Sequence, residues 1–203
     1  MIAANGGAHH CLTRGIHPRF VIGDLDSLGK EDLSQLIAQG SQIIQHPKRK
    51  DYTDLELALR YAQELGAEEI LILGALGERW DQTIANIMLP AVLSPTVHQT
   101  TIKGPPRITI LDGNQELFFL RGGEQLEIYG HPGDVVSLIP IAERAHGVTT
   151  QNLEYPLLEN DLLLGSTLGI SNVLLEEHGS VSLIEGLMLC VVIHQYSIDT
   201  VEE

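Results

Sequence analysis

Cysteine is scarce in this chain. Its 203 residues include only Cys11 and Cys190, with no CxxC pair and no Cys/His cluster at zinc-ligand spacing. Neither a disulfide framework nor a zinc site is therefore expected. Unpaired thiols are typical of a reducing compartment, so we expect the protein to be cytoplasmic.

Basic and aromatic residues are also few. Lys and Arg number 12 against 27 Asp and Glu, the formal net charge is -15, and aromatic residues make up 4% of the chain. This composition lacks the clustered basic residues of a nucleic-acid-binding surface, and an anionic membrane would repel it. There is also no charged leader with an apolar core and no apolar run of about 18 residues. We therefore expect no nucleic-acid partner, no export and no membrane span.

The residues that are present favour an ordinary globular protein with one local change of charge sign. Apolar residues form 43% of the chain, which is enough for a large core. A basic run, Lys48-Arg49-Lys50, directly precedes Asp51. Such a run fits either a site for an anionic ligand or a solvated loop.

Predicted strands alternate with predicted helices in the first half of the sequence. The clearest helix begins at 53–56, Thr-Asp-Leu-Glu, which fits a capping box and is followed by apolar residues at helical spacing. Pro90 is expected to bend or end the last of these helices. The alternation predicts βαβ units and an α/β domain with a mostly parallel sheet. The strands are predicted at 1–4, 20–22, 43–44 and 70–73, and the helices at 8–14, 30–39, 53–65 and 80–89.

The pattern changes after about residue 93. From Ile108 onward, short apolar runs separated by turn residues predict an antiparallel sandwich or barrel without a helix. The polar segment 94–106 holds three of the nine prolines and is the expected linker. We therefore predict an α/β domain over 1–95 and an all-β sandwich domain over 105–203. The sandwich strands are predicted at 108–111, 117–120, 126–129, 135–140, 162–164, 173–175, 181–184 and 187–193.

Carboxylates are concentrated where predicted strands end and predicted helices begin. Asp24 and Asp26 directly follow a strand, and Asp51 and Asp54 stand at the start of a helix. Because ligands bind beyond the carboxyl ends of strands in a parallel α/β sheet, these acids indicate a site for a hard cation with oxygen ligands. A third charged loop adds Arg79. Carboxylates beside Lys and Arg match phosphoryl-type transfer, in which magnesium bridges the phosphates.

Each acidic motif also has a simpler structural explanation. Asp24-Leu25-Asp26 is a pattern typical of an Asx-type turn. Asp54 lies in the first turn of a predicted helix, where its charge interacts favourably with the helix dipole. The recurrence of acids at three successive loops is what favours a functional interpretation.

Seven ordered motifs extend over nearly the whole chain. They are Ala4-Asn5-Gly6-Gly7-Ala8, Gly23-Asp24-Leu25-Asp26-Ser27, Lys50-Asp51-Tyr52-Thr53-Asp54, the segment 74–82 with Ala85-Asn86, Gly147-Val148-Thr149-Thr150, Leu153-Glu154-Tyr155-Pro156-Leu157 and Gly169-Ile170-Ser171-Asn172. Together they resemble the thiamine pyrophosphokinase family in order and in spacing.

The resemblance implies a two-domain enzyme that uses Mg²⁺. Its N-terminal α/β domain would bind ATP, and its C-terminal β-sandwich would bind thiamine. The reaction would transfer pyrophosphate from ATP to the thiamine hydroxyl, giving thiamine diphosphate and AMP. The family also implies a homodimer whose active sites lie between one subunit's catalytic domain and the other subunit's sandwich. An acidic chain suits this substrate, because thiamine is a cation.

On the nucleotide side, the resemblance implies a metal site and an ATP site. The magnesium ligands would be Asp24, Asp26 and Asp54. The ATP site would be lined by Asn5, Lys50, Asp51, Arg79 and Asp81. A primary alcohol that attacks phosphorus needs in-line placement and a proton acceptor, for which Asp54 and Asp51 are candidates. The catalytic residues would therefore be Asp54, Asp51 and Arg79.

On the thiamine side, the resemblance implies contacts from four residues. Tyr155 stands where the family places an aromatic ring against thiamine, and an aromatic face can interact with a cationic heterocycle. Without the resemblance, Tyr155 is simply a rim or core aromatic and Ser171-Asn172 a turn. The thiamine-binding residues would be Gln82, Tyr155, Ser171 and Asn172.

Two departures from the family and two alternative functions belong to this interpretation. The family usually has Asp where Asn5 stands, and it generally begins with an additional strand and loop that we expect to be missing here.

A non-catalytic binder of thiamine or nucleotide is the main alternative. A magnesium-dependent phosphatase of the haloacid dehalogenase type is another, because Asp24-Leu25-Asp26 after a strand mimics its nucleophile motif.

Overall fold

The computed structural model describes residues 1–92 and 106–195. The predicted linker lies almost wholly outside these residues. By their contacts, the described residues form two compact units, 1–70 with Pro106 and 71–92 with 107–195. The domain boundaries at 95 and 105 stay a prediction. None of the helices in the described ranges is long and apolar enough to span a membrane.

The first unit is built on a three-stranded parallel sheet in the order β1-β2-β3. All four residues of the central strand β2 are buried, as expected for a parallel strand covered on both faces. Helix α3 packs on β1 and β2, and α1 packs on β1. The predicted parallel α/β arrangement is confirmed here. The elements are β1 (Ile2–Ala4), α1 (Gly7–Thr13), β2 (Phe20–Gly23), α2 (Lys30–Ala38), β3 (Gln42–Gln45) and α3 (Asp54–Glu64).

Helix α3 begins as the sequence predicts, although only half of the capping box forms. The Thr53 hydroxyl accepts a hydrogen bond from the Glu56 backbone N–H at 3.2 Å. The Glu56 carboxylate does not return to Thr53 but pairs with the Arg60 guanidinium at 2.7 Å, four residues further along the helix. An i,i+4 ion pair therefore replaces the second arm of the box.

The chain next forms β4 (Glu69–Leu73) and α4 (Trp80–Val92). The sequence places β4 in the parallel sheet, but it is the edge strand beside β5 in a six-stranded sheet. Only Ile72 is fully buried in β4, in contrast to the complete burial of β2. Pro90 does not end α4, which continues to Val92. A proline so near the end removes one intrahelical hydrogen bond, and the Pro90 carbonyl accepts a bond from Arg121 Nη2 at 3.0 Å.

The remaining strands form two sheets around a common apolar core, which confirms the predicted β-rich domain. One sheet has the order β10-β9-β12-β7, and the other has β11-β8-β13-β6-β5 before β4. Leu138, Val181 and Met188 are among the fully buried side chains between them. The strands are β5 (Arg107–Asp112), β6 (Gln115–Arg121), β7 (Gln125–Tyr129), β8 (Val135–Pro140), β9 (Arg144–Gln151), β10 (Asn160–Leu163), β11 (Asn172–Val173), β12 (His178–Ser182) and β13 (Leu187–Ile193).

The interior of the second unit contains one charged anchor. Asp134 is fully buried and accepts hydrogen bonds from the backbone N–H groups of His131 and Gln195. The His194 imidazole contacts the same carboxylate through Nδ1 at 2.7 Å. Burial alone raises the pKa of the Asp134 carboxyl, but these hydrogen bonds and the His194 charge outweigh it, and the pKa is lower than usual.

Candidate functional site

The first acidic motif is a tight turn at the end of β2. Leu25 has a φ of 64°, which is unusual for a side chain of this kind and reverses the chain between the two aspartates. Asp24 Oδ1 accepts a hydrogen bond from the Asp26 backbone N–H at 3.1 Å, so the Asx-type turn forms. The functional and the structural interpretations of this motif are therefore compatible.

The Asn5 side chain lies among the three predicted magnesium ligands. Its Nδ2 atom is 3.0 Å from Asp24 Oδ1, 3.0 Å from Asp54 Oδ2 and 3.3 Å from Asp26 Oδ1. Asn5 follows β1 with a φ of 41°, a conformation that asparagine tolerates, and its backbone N–H donates to the Ile22 carbonyl. Three carboxylates from two distant segments thus surround a single nitrogen atom.

Gly23 permits this close approach. Its φ is 151°, and a Cβ added there would lie 3.0 Å from Asn5 Cβ and 3.1 Å from Asp54 Cγ. Contacts this short force neighbouring atoms to move. The glycine therefore provides the room in which Asn5 and Asp54 meet.

Two lysines of the basic run complete the cluster. Lys50 Nζ is 2.5 Å from Asp54 Oδ1, and both side chains are largely buried. The exposed Lys48 pairs with Asp26 at 2.7 Å; this hydrogen bond, together with the one that Asn5 donates, holds the pKa of Asp26 well below its usual range. Asp26 in turn raises the pKa of Lys48. Sequence reasoning noted this run but assigned no role to Lys48. Three aspartates and two lysines leave a net charge of one negative unit.

The residues of this cluster fit a magnesium ion by their chemistry. Carboxylate and amide oxygens are the ligands that hard divalent cations prefer. Asn5 Oδ1 is buried and has no hydrogen-bond partner within the described residues. In residues 1–92 and 106–195, no three His, Cys, Asp or Glu side chains already have the spacing of a formed metal site. The Asn5 amide instead stands among the carboxylates.

Asp51 is not drawn into the cluster. Its side chain is exposed and makes no hydrogen bond or ion pair with the part of the chain that the structure describes. Both Asp54 oxygens, in contrast, are engaged, one by Lys50 and one by Asn5. The two candidate proton acceptors therefore differ sharply in how free their oxygens are.

The third charged loop surrounds a recess in the second unit. Its volume is about 360 Å³, and Gly77, Arg79 and Gln82 are among its lining residues. Buried Thr83 shapes the loop, since its hydroxyl both accepts from the Gly77 N–H and donates to the Gly77 carbonyl, each at 3.1 Å. Asn86 Nδ2 donates to the Ala75 carbonyl at 2.7 Å. The loop is thus held by α4, while the Gln82 side chain remains exposed.

Arg79 and Asp81 form an exposed pair at this loop. Two hydrogen bonds join them, Nε to Oδ1 at 3.1 Å and Nη2 to Oδ2 at 2.5 Å. The guanidinium lowers the pKa of Asp81, and Asp81 raises the pKa of Arg79. An exposed pair of this kind contributes little to stability and can open toward a ligand.

The structure brings three of the predicted thiamine-binding residues, Tyr155, Ser171 and Asn172, together within the sandwich. Asn172 is buried, and its Oδ1 accepts from the Tyr155 N–H at 2.9 Å while its Nδ2 donates to the Tyr155 carbonyl at 2.7 Å. Tyr155 as a whole is 61% exposed. Ser171 has a φ of 59°, and its N–H donates to the Ser137 hydroxyl. Asn172 therefore fixes the Tyr155 backbone and leaves the ring open to solvent.

Both halves of the chain match models of one protein family. The family model for the thiamin pyrophosphokinase catalytic domain matches residues 1–102, and that for the vitamin B1 binding domain of the same enzyme matches residues 125–188. Thiamine pyrophosphokinase of Bacillus subtilis is 31% identical over 190 residues, which are 94% of this chain and 85% of the relative.

Solved structures extend the likeness to the fold. The crystal structure of thiamine pyrophosphokinase from Bacillus subtilis matches with a TM-score of 0.82 and 29% identity, covering 96% of this chain and 87% of that one. The corresponding structure from Geobacillus thermodenitrificans matches with a TM-score of 0.79 and 28% identity, covering 97% and 86%. This chain belongs to the thiamin pyrophosphokinase family.

Proposed function

We propose that this protein is a thiamine pyrophosphokinase that transfers pyrophosphate from ATP to the hydroxyl of thiamine. In this reaction the thiamine oxygen attacks the β-phosphorus of ATP, and the bond from that phosphorus to the oxygen bridging to the α-phosphate breaks. The products are thiamine diphosphate and AMP. Family membership and the matching of both domain models support the proposal.

The observation that carries the proposal is the convergence of Asp24, Asp26 and Asp54 around one atom. Carboxylates so close together repel one another and need a positive partner. The cluster has one net negative charge, so a divalent cation changes it to one net positive charge. A cluster of that sign attracts a polyphosphate, which the overall charge of -15 otherwise repels.

We assign Mg²⁺ to Asp24, Asp26 and Asp54, where it would neutralise charge on the transferred phosphates. Asn5, Lys50, Arg79 and Asp81 line the ATP site in this proposal. The Arg79 guanidinium stabilises negative charge that develops on phosphate oxygens once its pair with Asp81 opens.

We assign proton acceptance to Asp51. Its carboxylate is exposed and unpartnered among the described residues, whereas both oxygens of Asp54 are engaged by Lys50 and Asn5. A free oxygen is a requirement for a general base. We expect Asp51→Asn to lower kcat and leave Mg²⁺ binding unchanged. We expect Asp54→Asn to lose both turnover and Mg²⁺ binding. Equal kcat for Asp51→Asn and the unaltered protein would remove Asp51 from this role.

Three sandwich residues, together with Gln82 of α4, form the thiamine side of the proposal. The exposed Tyr155 ring stacks on the cationic heterocycle, and Asn172 holds the Tyr155 backbone in place. Ser171 and Gln82 supply polar contacts. We propose 1–95 as the ATP-binding domain and 105–203 as the thiamine-binding domain.

The assembly and the cellular location are part of the same proposal. Within the described sandwich, large apolar side chains are exposed, among them Leu158 at 82% and Leu164 at 66%. Such surfaces are typical of contacts between subunits, and we propose a homodimer, which light scattering of the purified chain will test. Cys11 and Cys190 are free thiols, which supports a cytoplasmic location.

The decisive experiment measures product release from ATP and thiamine with and without Mg²⁺. We expect stoichiometric AMP and thiamine diphosphate in the presence of Mg²⁺, and neither product after Asp24→Asn, although that variant stays folded. Release of orthophosphate would favour the phosphatase alternative. Binding of thiamine without any AMP would favour the non-catalytic alternative.

A further inference from the structure

The two ends of the Asn5 side chain are in opposite situations. Its nitrogen faces three carboxylates at 3.0 to 3.3 Å, while its oxygen is buried without a partner among the described residues. An amide nitrogen carries two N–H bonds, so three acceptors share two donors. The longest contact, to Asp26 Oδ1, belongs to the carboxylate that is also held by Lys48.

In the observed orientation the amide hydrogens serve as the positive partner of the three carboxylates. They lie between negative charges that would repel one another across this distance. In the reverse orientation Asn5 Oδ1 would lie among the carboxylates. The negative end of the amide dipole would then face three negative charges. The observed orientation therefore lowers the repulsion among the three carboxylates.

A divalent cation reverses this preference. Amide hydrogens that point at a cation are repelled, whereas an asparagine carbonyl oxygen is an ordinary ligand of such an ion. Rotation about the last side-chain torsion of asparagine is soft and exchanges the two ends of the amide. The buried end has no partner in the present orientation, so turning the amide breaks no hydrogen bond there. The presence or absence of a cation among the carboxylates therefore decides whether the nitrogen or the oxygen of the Asn5 amide faces them.

We propose that Asn5 is a metal-responsive positioning residue, whose amide N–H groups hold Asp24, Asp26 and Asp54 together in the metal-free protein and whose carbonyl oxygen turns to Mg²⁺ when the ion binds. This inference rests on the proposed function, because it takes the metal from there. It adds that metal binding is coupled to an exchange of hydrogen-bond donor for oxygen ligand within one side chain.

The direct test follows the side-chain amide by NMR in protein labelled with ¹⁵N at asparagine. Comparison with Asn5→Asp assigns the Asn5 signals by their disappearance. We expect them to shift when Mg²⁺ alone is added and to broaden strongly with Mn²⁺, because the amide then lies beside a paramagnetic ion. Unchanged Asn5 signals in protein that calorimetry shows to be saturated with Mg²⁺ would overturn the inference.

Substitutions give a second, independent readout through the affinity for Mn²⁺. Asn5→Leu has nearly the same shape but offers no oxygen, and we expect it to weaken binding about tenfold or more. Asn5→Asp adds a carboxylate oxygen, and we expect it to tighten binding and to destabilise the metal-free protein. Asn152→Asp is the matched control, since Asn152 also has a positive φ, 57°, and its amide also donates to a carboxylate, that of Glu176. That control should bind Mn²⁺ as the unaltered protein does.

The outcomes separate this inference from the function it rests on. If the unaltered protein forms AMP with Mg²⁺ but Asn5→Leu binds Mn²⁺ as tightly as it does, the inference alone fails. If the unaltered protein binds neither ion and forms no AMP, the proposed function fails and the inference with it. Should Asn5→Leu not fold, the NMR experiment on the unaltered sequence still decides.

Discussion

Replacing Gly23 by alanine tests whether the cluster depends on the close approach seen at the end of β2. The backbone there has a φ of 151°, and positive φ costs a residue with a side chain about 1 to 3 kcal/mol. The new Cβ would also lie 3.0 Å from Asn5 Cβ, 3.1 Å from Asp54 Cγ and 3.2 Å from Asp54 Oδ1. Relieving these contacts moves Asn5 or Asp54 by a few tenths of an ångström.

Gly40 supplies the matched control for this substitution. It has a φ of 91°, and an added Cβ would meet nothing within 4 Å, so Gly40→Ala carries the backbone strain without the collision. Both variants should lose about 1 to 3 kcal/mol in the free energy of unfolding, measured by urea titration. Only Gly23→Ala should also lose turnover, at least about tenfold in AMP formation, because small misplacements of catalytic groups are costly. If Gly23→Ala forms AMP as fast as Gly40→Ala, the reasoning is refuted.

Three further predictions concern stability and thiol reactivity. Thr53→Ala removes the side-chain cap of α3 and should cost about 0.5 to 2 kcal/mol in urea unfolding, while Thr53→Ser should cost little. Burial raises the pKa of the Cys190 thiol to about 12, so a thiol reagent at pH 8 should modify Cys11 in the folded protein and both thiols only after unfolding. The pKa of Asp134 is lowered in the folded state, so the stability it contributes is present above the unfolded value, about 3.9, and is lost as pH falls through the folded value. The difference in unfolding free energy between the unaltered protein and Asp134→Asn should therefore shrink as the pH falls below about 4.

The positions of the acids could be foreseen from the sequence because they follow from local rules. Asp24 and Asp26 come directly after an apolar run, and Asp54 follows the capping residue Thr53. The sequence therefore predicts the first two at a strand end and the third at a helix start. Periodicity also separated the α/β part from the β-rich part. These signals depend on residues that are neighbours in sequence, so they can be recognised before the structure is known.

Other features depend on contacts that sequence patterns do not encode. The meeting of Asn5 with three carboxylates depends on positive φ values at Asn5 and Leu25 and on the absence of a side chain at Gly23. Strand β9 was missed because Gly147 and several polar residues interrupt its apolar pattern, although it pairs with both β10 and β12. The placement of β4 beside β5 was missed because an isolated apolar run does not reveal which sheet it joins.

The position of β13 within the six-stranded sheet has a consequence for how the chain folds. Residues 187–193 pair with β6 on one side and with β8 on the other, so the last of the described strands lies between strands that precede it by many residues. Loops of that length close slowly, and until β13 arrives the edges of β6 and β8 are open to other chains. During synthesis on the ribosome, the parallel βαβ part can fold early, while the sandwich must wait for β13 and depends on protection from aggregation in that interval.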